Sequence, residues 1–146
     1  MKKYILIFIL LLGFSPFVFG QNVFTLDGVS GTRAYSNIDS ALKYAQDGDY
    51  LYLPGGTINA PAGFMVKKRL NIIGTGHYPD STSATGITII NSNVHFWTEA
   101  SGSMMQGVFV VGSVLLGTDA NNSAAKNILI SRCSFVTLHL SFNGVN

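Results

Sequence analysis

Apolar and polar positions alternate over short runs along most of this 146-residue chain. A period of two marks strands with one buried face. The strong runs are residues 50–53, 70–73, 87–90, 108–111 and 128–131, and their starts lie 20, 17, 21 and 20 residues apart. A shorter apolar piece follows most of them, at Thr57-Ile58, 94–97, 114–116 and 136–140. Between the runs lie the turn formers Gly55-Gly56, Gly74-Thr75-Gly76, Asn91-Ser92-Asn93, Gly112-Ser113 and Asn121-Asn122-Ser123. A spacing near 20 exceeds the roughly 8–12 residues at which hairpin strands recur. It falls short of the roughly 30 that a strand-helix-strand unit needs. The repeat therefore predicts a parallel β-solenoid in which each coil pairs with its two neighbours. Alternation turns Leu51/Leu53, Leu70/Ile72, Ile87/Ile89, Val108/Val110 and Ile128/Ile130 inward. Tyr52, Asn71, Thr88, Phe109 and Leu129 face outward.

One segment has a helical period. Ile38, Ala41, Leu42 and Ala45 share a face, with Ser36 as N-cap and Asp39 in the first turn, where the helix dipole favours an acid. Asp47-Gly48-Asp49 ends it. A short lead-in strand, 22–26, precedes it.

Composition narrows the class. Charged residues are 11%, apolar residues 47%, and Gly numbers 16, which excludes disorder and a charged coiled coil. The opening has the anatomy of a secretory leader. Lys2-Lys3 precedes an apolar stretch over 4–19, and Val18 and Gly20 prepare cleavage after Gly20. The stretch is shorter than the roughly 20 residues of a spanning helix and carries Pro16, so no stable membrane span is expected after cleavage. The expected location is secreted, cell-surface or periplasmic. Beyond residue 20, seven basic residues balance seven acidic ones, so no nucleic-acid partner is expected. Cys133 is the only cysteine, so no internal disulfide forms. Its apolar neighbours make it a small core residue.

The chemistry-bearing residues are dispersed. Lys67-Lys68-Arg69 reads as a solvated turn, with a clasp for anionic polysaccharide as the competing reading. Gly74-Thr75-Gly76-His77 lacks the third glycine and the following helix of a phosphate loop. His77, His95 and His139 lack metal-motif spacing, so no metal or cofactor is expected. The aromatics are more informative. If Val94 and Phe96 point inward, His95 and Trp97 point outward, as Tyr50, Tyr52 and Phe109 do. Aromatic faces stack on the C–H faces of sugars. Tyr52, His95, Trp97 and Phe109 are therefore the candidate sugar contacts, unless a loop such as 98–106 covers them.

The run Ile38-Asp39-Ser40-Ala41-Leu42, then Asp47-Gly48-Asp49, then Tyr52-Leu53-Pro54-Gly55-Gly56-Thr57 resembles the N-terminal cap and first coil of pectin lyase-like right-handed parallel β-helix proteins. Leu70-Asn71-Ile72-Ile73-Gly74-Thr75-Gly76 and Ile128-Leu129-Ile130-Ser131-Arg132-Cys133-Ser134-Phe135 resemble later coils. The resemblance covers about residues 36–146. It implies an all-β right-handed parallel β-helix over 21–146, with a short capping α-helix and an incomplete C-terminus. It also implies a carbohydrate setting. Lyases of the family use clustered acids to hold Ca²⁺ and a base that abstracts a proton alpha to a uronate carboxyl. Here Asp80, Glu99 and Asp119 stand singly, Asp47 and Asp49 belong to the turn after the helix, and neither an Asp-Asp pair nor a Gly-His-Gly motif occurs. No catalytic residue carries over. The expected function is an exported, non-catalytic scaffold or carbohydrate-interacting surface protein, with polysaccharide as partner. The alternative is the N-terminal portion of a polysaccharide lyase or glycoside hydrolase whose catalytic coils lie beyond residue 146. A β-sandwich binding module would show hairpin signals instead. Asn143-Gly144-Val145 reads as a turn into a further coil, which leaves the last coil uncapped and favours self-association through it.

Overall fold

The computed structural model describes residues 22–76, 86–117 and 125–140. Its elements are β1 (Phe24–Asp27), β2 (Arg33–Tyr35), α1 (Ile38–Tyr44), β3 (Tyr50–Tyr52), β4 (Gly56–Ile58), β5 (Phe64–Val66), β6 (Asn71–Ile73), β7 (Thr88–Ile90) and β8 (Val94–Phe96). A 3₁₀ turn at Thr98–Ala100 leads to β9 (Met104–Gln106), β10 (Phe109–Leu116), β11 (Leu129–Ser131) and β12 (Ser134–Leu140). The leader, residues 1–20, lies outside the described residues, as do His77, Asp80, Asp119 and the turn at Asn143-Gly144.

The strands form two sheets. The first runs β11-β9-β6-β3-β1-β2, and the second runs β4-β7-β10-β8-β5 with β12 also on β10. β1 is antiparallel to both β2 and β3, whereas β3, β6, β9 and β11 pair parallel. The second sheet is parallel throughout. With α1 packed on β1, β2 and β5, the architecture is mixed α/β. It corrects the expected all-β right-handed parallel β-helix.

The finding behind that correction is the arrangement itself, one α-helix among the described residues with two sheets of which only the second is parallel throughout, and the pairing register also departs from the even repeat. Neighbours in the first sheet are Tyr50, Asn71, Met104 and Leu129, separated by 21, 33 and 25 residues rather than by a constant 20. Residues 87–90 and 108–111, aligned by the repeat with 50–53 and 70–73, supply β7 and part of β10 in the second sheet. Their place beside β6 is taken by β9, inside the segment expected to be loop. The even spacing of apolar runs mixed strands of two sheets into one series.

Faces differ as well. Leu51, Leu53, Leu70, Ile72, Val108 and Val110 are buried as expected, and Ile128 and Ile130 are half-buried. At β7 the expectation is inverted, because Thr88 and Ile90 are buried while Ile87 and Ile89 are half-exposed. The Thr88 hydroxyl donates to Pro54 O at 2.9 Å and accepts from Thr75 N at 2.9 Å. A buried hydroxyl with both roles filled costs little, so polarity did not keep it outside.

Asn37, not Ser36, caps the helix, its Oδ1 accepting from Asp39 N at 2.7 Å and from Ser40 N at 3.3 Å. At the other end the Lys68 ammonium donates to Lys43 O at 3.3 Å and to Ala45 O. A cation there satisfies carbonyls that the helix leaves unpaired. Seven residues cannot hold a helix alone, and burial of Ile38 and Ala41 on the core stabilises it. Gly48 then turns the chain with φ 93°.

Asp49 follows that turn and is 2% exposed. Its Oδ2 accepts from Arg33 Nη2 at 3.1 Å and from Gln46 N at 3.0 Å. Gly28 lies against this carboxylate so closely that a Cβ there would overlap it. Gly28→Ala is expected to lower stability by about 1–3 kcal/mol, the usual cost of overpacking. Chemical denaturation measures it, and an unchanged midpoint would show that Asp49 can step aside.

Candidate functional site

The outer face of the first sheet is set by alternation. Phe24 and Leu26 of β1, Leu51 of β3, Ile72 of β6 and Met105 of β9 are buried, so their neighbours point away from the core. Tyr50 and Tyr52 are consequently 43% and 41% exposed. Their rings are nearly parallel, at 17°, with centroids 6.3 Å apart. Asp27 and Asn71 flank Tyr50 in register, and Thr25 and Ile73 flank Tyr52. Gln106 continues the second row beyond Ile73.

The polar groups beside the rings are held in place. Asp27 Oδ1 accepts from Thr32 Oγ1 at 2.7 Å, and Asn71 Nδ2 donates to Gly48 O at 3.2 Å. Two exposed rings bordered by a carboxylate, two amides and a hydroxyl offer ring faces for C–H groups and hydrogen bonds for sugar hydroxyls. Asp27, Asn71 and Gln106 were not singled out from sequence. The signal available was their position beside the tyrosines, which needs the strand order to be read.

The remaining candidates lie on the second sheet. Val94 and Phe96 are buried, and His95 and Trp97 turn outward but stay half-buried. His95 sits between Met65 of β5 and Leu115 of β10, with His139 of β12 beyond Leu115. The Lys67 ammonium lies 4.4 Å from the centre of the Trp97 ring, so that ring already has a cation partner. Trp97 Nε1 is buried without a hydrogen-bond partner. Phe109 starts β10, flanked by Ile89 and Ser134. It precedes Leu115 by about 20 Å of strand at 3.3 Å per residue. His95 and Trp97 are thus near one another, Phe109 is apart, and Tyr52 is on the other sheet.

The run Lys67-Lys68-Arg69 does not converge on one point. Lys67 covers Trp97, Lys68 caps α1, and Arg69 N donates to Asp47 Oδ1 at 2.9 Å. Two shallow clefts adjoin the helix. One, of about 300 Å³, is lined by Asn22, Ser36, Asn37, Asp39 and Asn59 over Phe24. The other, of about 200 Å³, lies between Leu42, Lys43, Met65 and Lys67. No three His, Cys, Asp or Glu side chains gather to hold a metal among the described residues. None of the helices described is long and apolar enough to cross a membrane.

Cys133 is half-buried at the edge of the core, its thiol against Ser131 O at 3.3 Å. Burial raises its pKa, which keeps it a thiol at neutral pH. No family model, no curated protein and no solved structure matches the chain. The resemblance to pectin lyase-like proteins rests on its sequence motifs alone.

Burial lowers the His95 pKa from the ordinary 6.5. The unfolded chain then binds this proton more readily than the folded one. The associated stability is complete above about pH 6.5 and is lost as pH falls through the folded pKa. A proton NMR titration of the three imidazoles should find His95 titrating below 6.5. A midpoint at or above that value would contradict its apolar setting between Met65 and Leu115.

Proposed function

We propose that this is an exported, non-catalytic protein whose first sheet binds polysaccharide through Tyr50 and Tyr52. The observation that carries the reading is the pair of near-parallel, exposed rings bordered by Asp27, Asn71, Thr25 and Gln106. Aromatic rings on an interior strand of a sheet stay exposed at the cost of wetting apolar surface, and a sugar face removes that surface from water. Several acids already have internal partners. Asp49 is held by Arg33 and Gln46, Asp47 by Arg69 N, and Asp27 by Thr32. Such carboxylates orient structure or ligand better than they relay protons. Export is supported by Lys2-Lys3, the apolar stretch and the Val18/Gly20 pattern.

Affinity electrophoresis through gels containing neutral and uronate-rich polysaccharides tests this reading. At least one polymer should retard the protein. Tyr50→Ala with Tyr52→Ala should weaken retardation roughly fivefold or more, since each ring contact contributes about 0.5–1.5 kcal/mol. Thermal unfolding should be nearly unchanged, because both rings are exposed. Equal retardation of wild type and double variant would remove Tyr50 and Tyr52 from the site. Free migration through every polymer would overturn the function itself.

A further inference from the structure

Opposite charges flank Tyr50 on the outer face of the first sheet. Asp27 of β1 stands beside Tyr50 in register, and Asn71 of β6 stands on its other side. The Asp27 carboxylate is steadied by Thr32 Oγ1, which donates to Oδ1 at 2.7 Å. Arg69 precedes Asn71 by two residues, and Leu70 between them is buried, so both side chains point away from the core. Arg69 is exposed. Its Nη2 lies 3.7 Å from where a Cβ on Gly48 would stand, so the bare glycine leaves room for the guanidinium just before β3. The guanidinium enters no ion pair among the described residues, where Arg33 and Asp49 form the one found. Lys67 and Lys68 are committed to Trp97 and to the end of α1. Tyr50 thus has a carboxylate toward β1 and a guanidinium toward β6.

We propose that the polysaccharide taken by this face is uncharged, and that Asp27 and Arg69 enforce this from the two sides of Tyr50. The inference rests on the reading of Tyr50 and Tyr52 as the binding rings. A charged polysaccharide repeats one sign from unit to unit. Neighbouring strands are about 4.8 Å apart, so a chain lying on Tyr50 reaches both flanks. A polyuronate that pairs with Arg69 brings further carboxylates to Asp27. A polymer of ammonium sugars that pairs with Asp27 brings further cations to Arg69. Either polymer sets one attraction against a repulsion of similar size, and the repulsion discriminates against it. Asp47 adds to the case against anions, because its Oδ1 accepts from Arg69 N and so puts a second carboxylate near the start of β6. An uncharged chain meets neither penalty. Its hydroxyls can donate to Asp27 and accept from Arg69 and Asn71, and hydrogen bonds to charged groups are the stronger kind.

Affinity electrophoresis of the full chain, read against polymer-free gels at low and physiological salt, provides the test. The probes are uncharged glucans and mannans, polygalacturonate and chitosan. At least one uncharged polymer should retard the protein equally at both salt levels, since screening acts on charges. Polygalacturonate and chitosan should retard it less. Asp27→Asn keeps an acceptor for Thr32 and removes the negative charge. Its retardation by polygalacturonate at low salt should rise roughly threefold or more, and adding Arg69→Gln should abolish the gain. Its retardation by the uncharged polymer should fall but persist, which shows that the face is intact. Wild type held best by polygalacturonate or chitosan would overturn this inference and leave Tyr50 and Tyr52 as the binding rings. No gain in polygalacturonate by an Asp27→Asn variant that still holds the uncharged polymer would overturn it as well. Free migration through every polymer would overturn the polysaccharide reading itself, and this inference with it.

Discussion

The carboxylate of Asp49 is the joint on which the first half of the molecule depends. It stands where an antiparallel beginning gives way to parallel pairing. Arg33 reaches it from β2, Gln46 N from the turn after α1, and Gly28 closes over it from the end of β1. Its own backbone carbonyl accepts from Asn71 N at 2.9 Å, so the same residue starts the parallel step from β3 to β6. A buried charge is tolerated because an ion pair and a backbone N–H share it. Hydrophobic burial alone would not position β2 and the helix so narrowly. Apolar contacts fix what is inside, while a charged hydrogen bond fixes direction.

Strands were legible in the sequence wherever a β-branched or leucine alternation lasted three or more positions, as at Leu51, Ile72, Ile90, Val94 and Val110. Their partners were not. Outside β7, the residues of these strands encode which side is buried, but the strand each pairs with depends on loop length and turn direction. β9 illustrates the gap. Met104-Met105-Gln106 is short and lies between Gly102-Ser103 and Gly107, so it reads as loop. In the fold, Ser103 Oγ accepts from Leu70 N at 3.0 Å and donates to Ala100 O at 2.6 Å, which anchors the chain just where β9 begins beside β6. Once β9 is unseen, an even period of 20 appears among the other runs, and Val108 is drawn into the wrong sheet. Thr88 shows a second limit: hydropathy cannot register two hydrogen bonds made inside.

The candidate site was legible one strand at a time. Alternation alone places Tyr50 and Tyr52 on one face, because residues two apart in a strand share it. It also turns His95 and Trp97 outward from Val94 and Phe96. Nothing local shows that Tyr52 is on a different sheet from His95, or that Lys67 rests on Trp97. The charge run lies in the turn between β5 and β6 with Lys67 and Arg69 exposed; Lys67 also rests on the Trp97 ring, Lys68 closes a helix end, and the Arg69 backbone N donates to Asp47 Oδ1. Lys67 and Lys68 have unrelated partners, because successive side chains leave the backbone in different directions.

The two ends of the sheets are finished by different physics. At the beginning, polar groups meet defined partners. Asn37 and Lys68 close the helix, the helix covers β1 and β2, and Ile38 and Ala41 are almost completely buried. Toward β12 the core thins by steps along matched positions, from Val94 and Val114 at 0% exposed to Leu138 at 44%. Side chains of similar size and shape are therefore stabilised very unequally according to how many layers flank them. Burying a leucine contributes roughly 1.5–3 kcal/mol, and a half-exposed one forfeits much of it. Among the described residues, the last strands are held mainly by backbone pairing on one side and by contacts such as Ser113 Oγ to Thr137 Oγ1 at 2.6 Å. Local opening should begin there, because few apolar contacts must break and the hydrogen bonds lie near water.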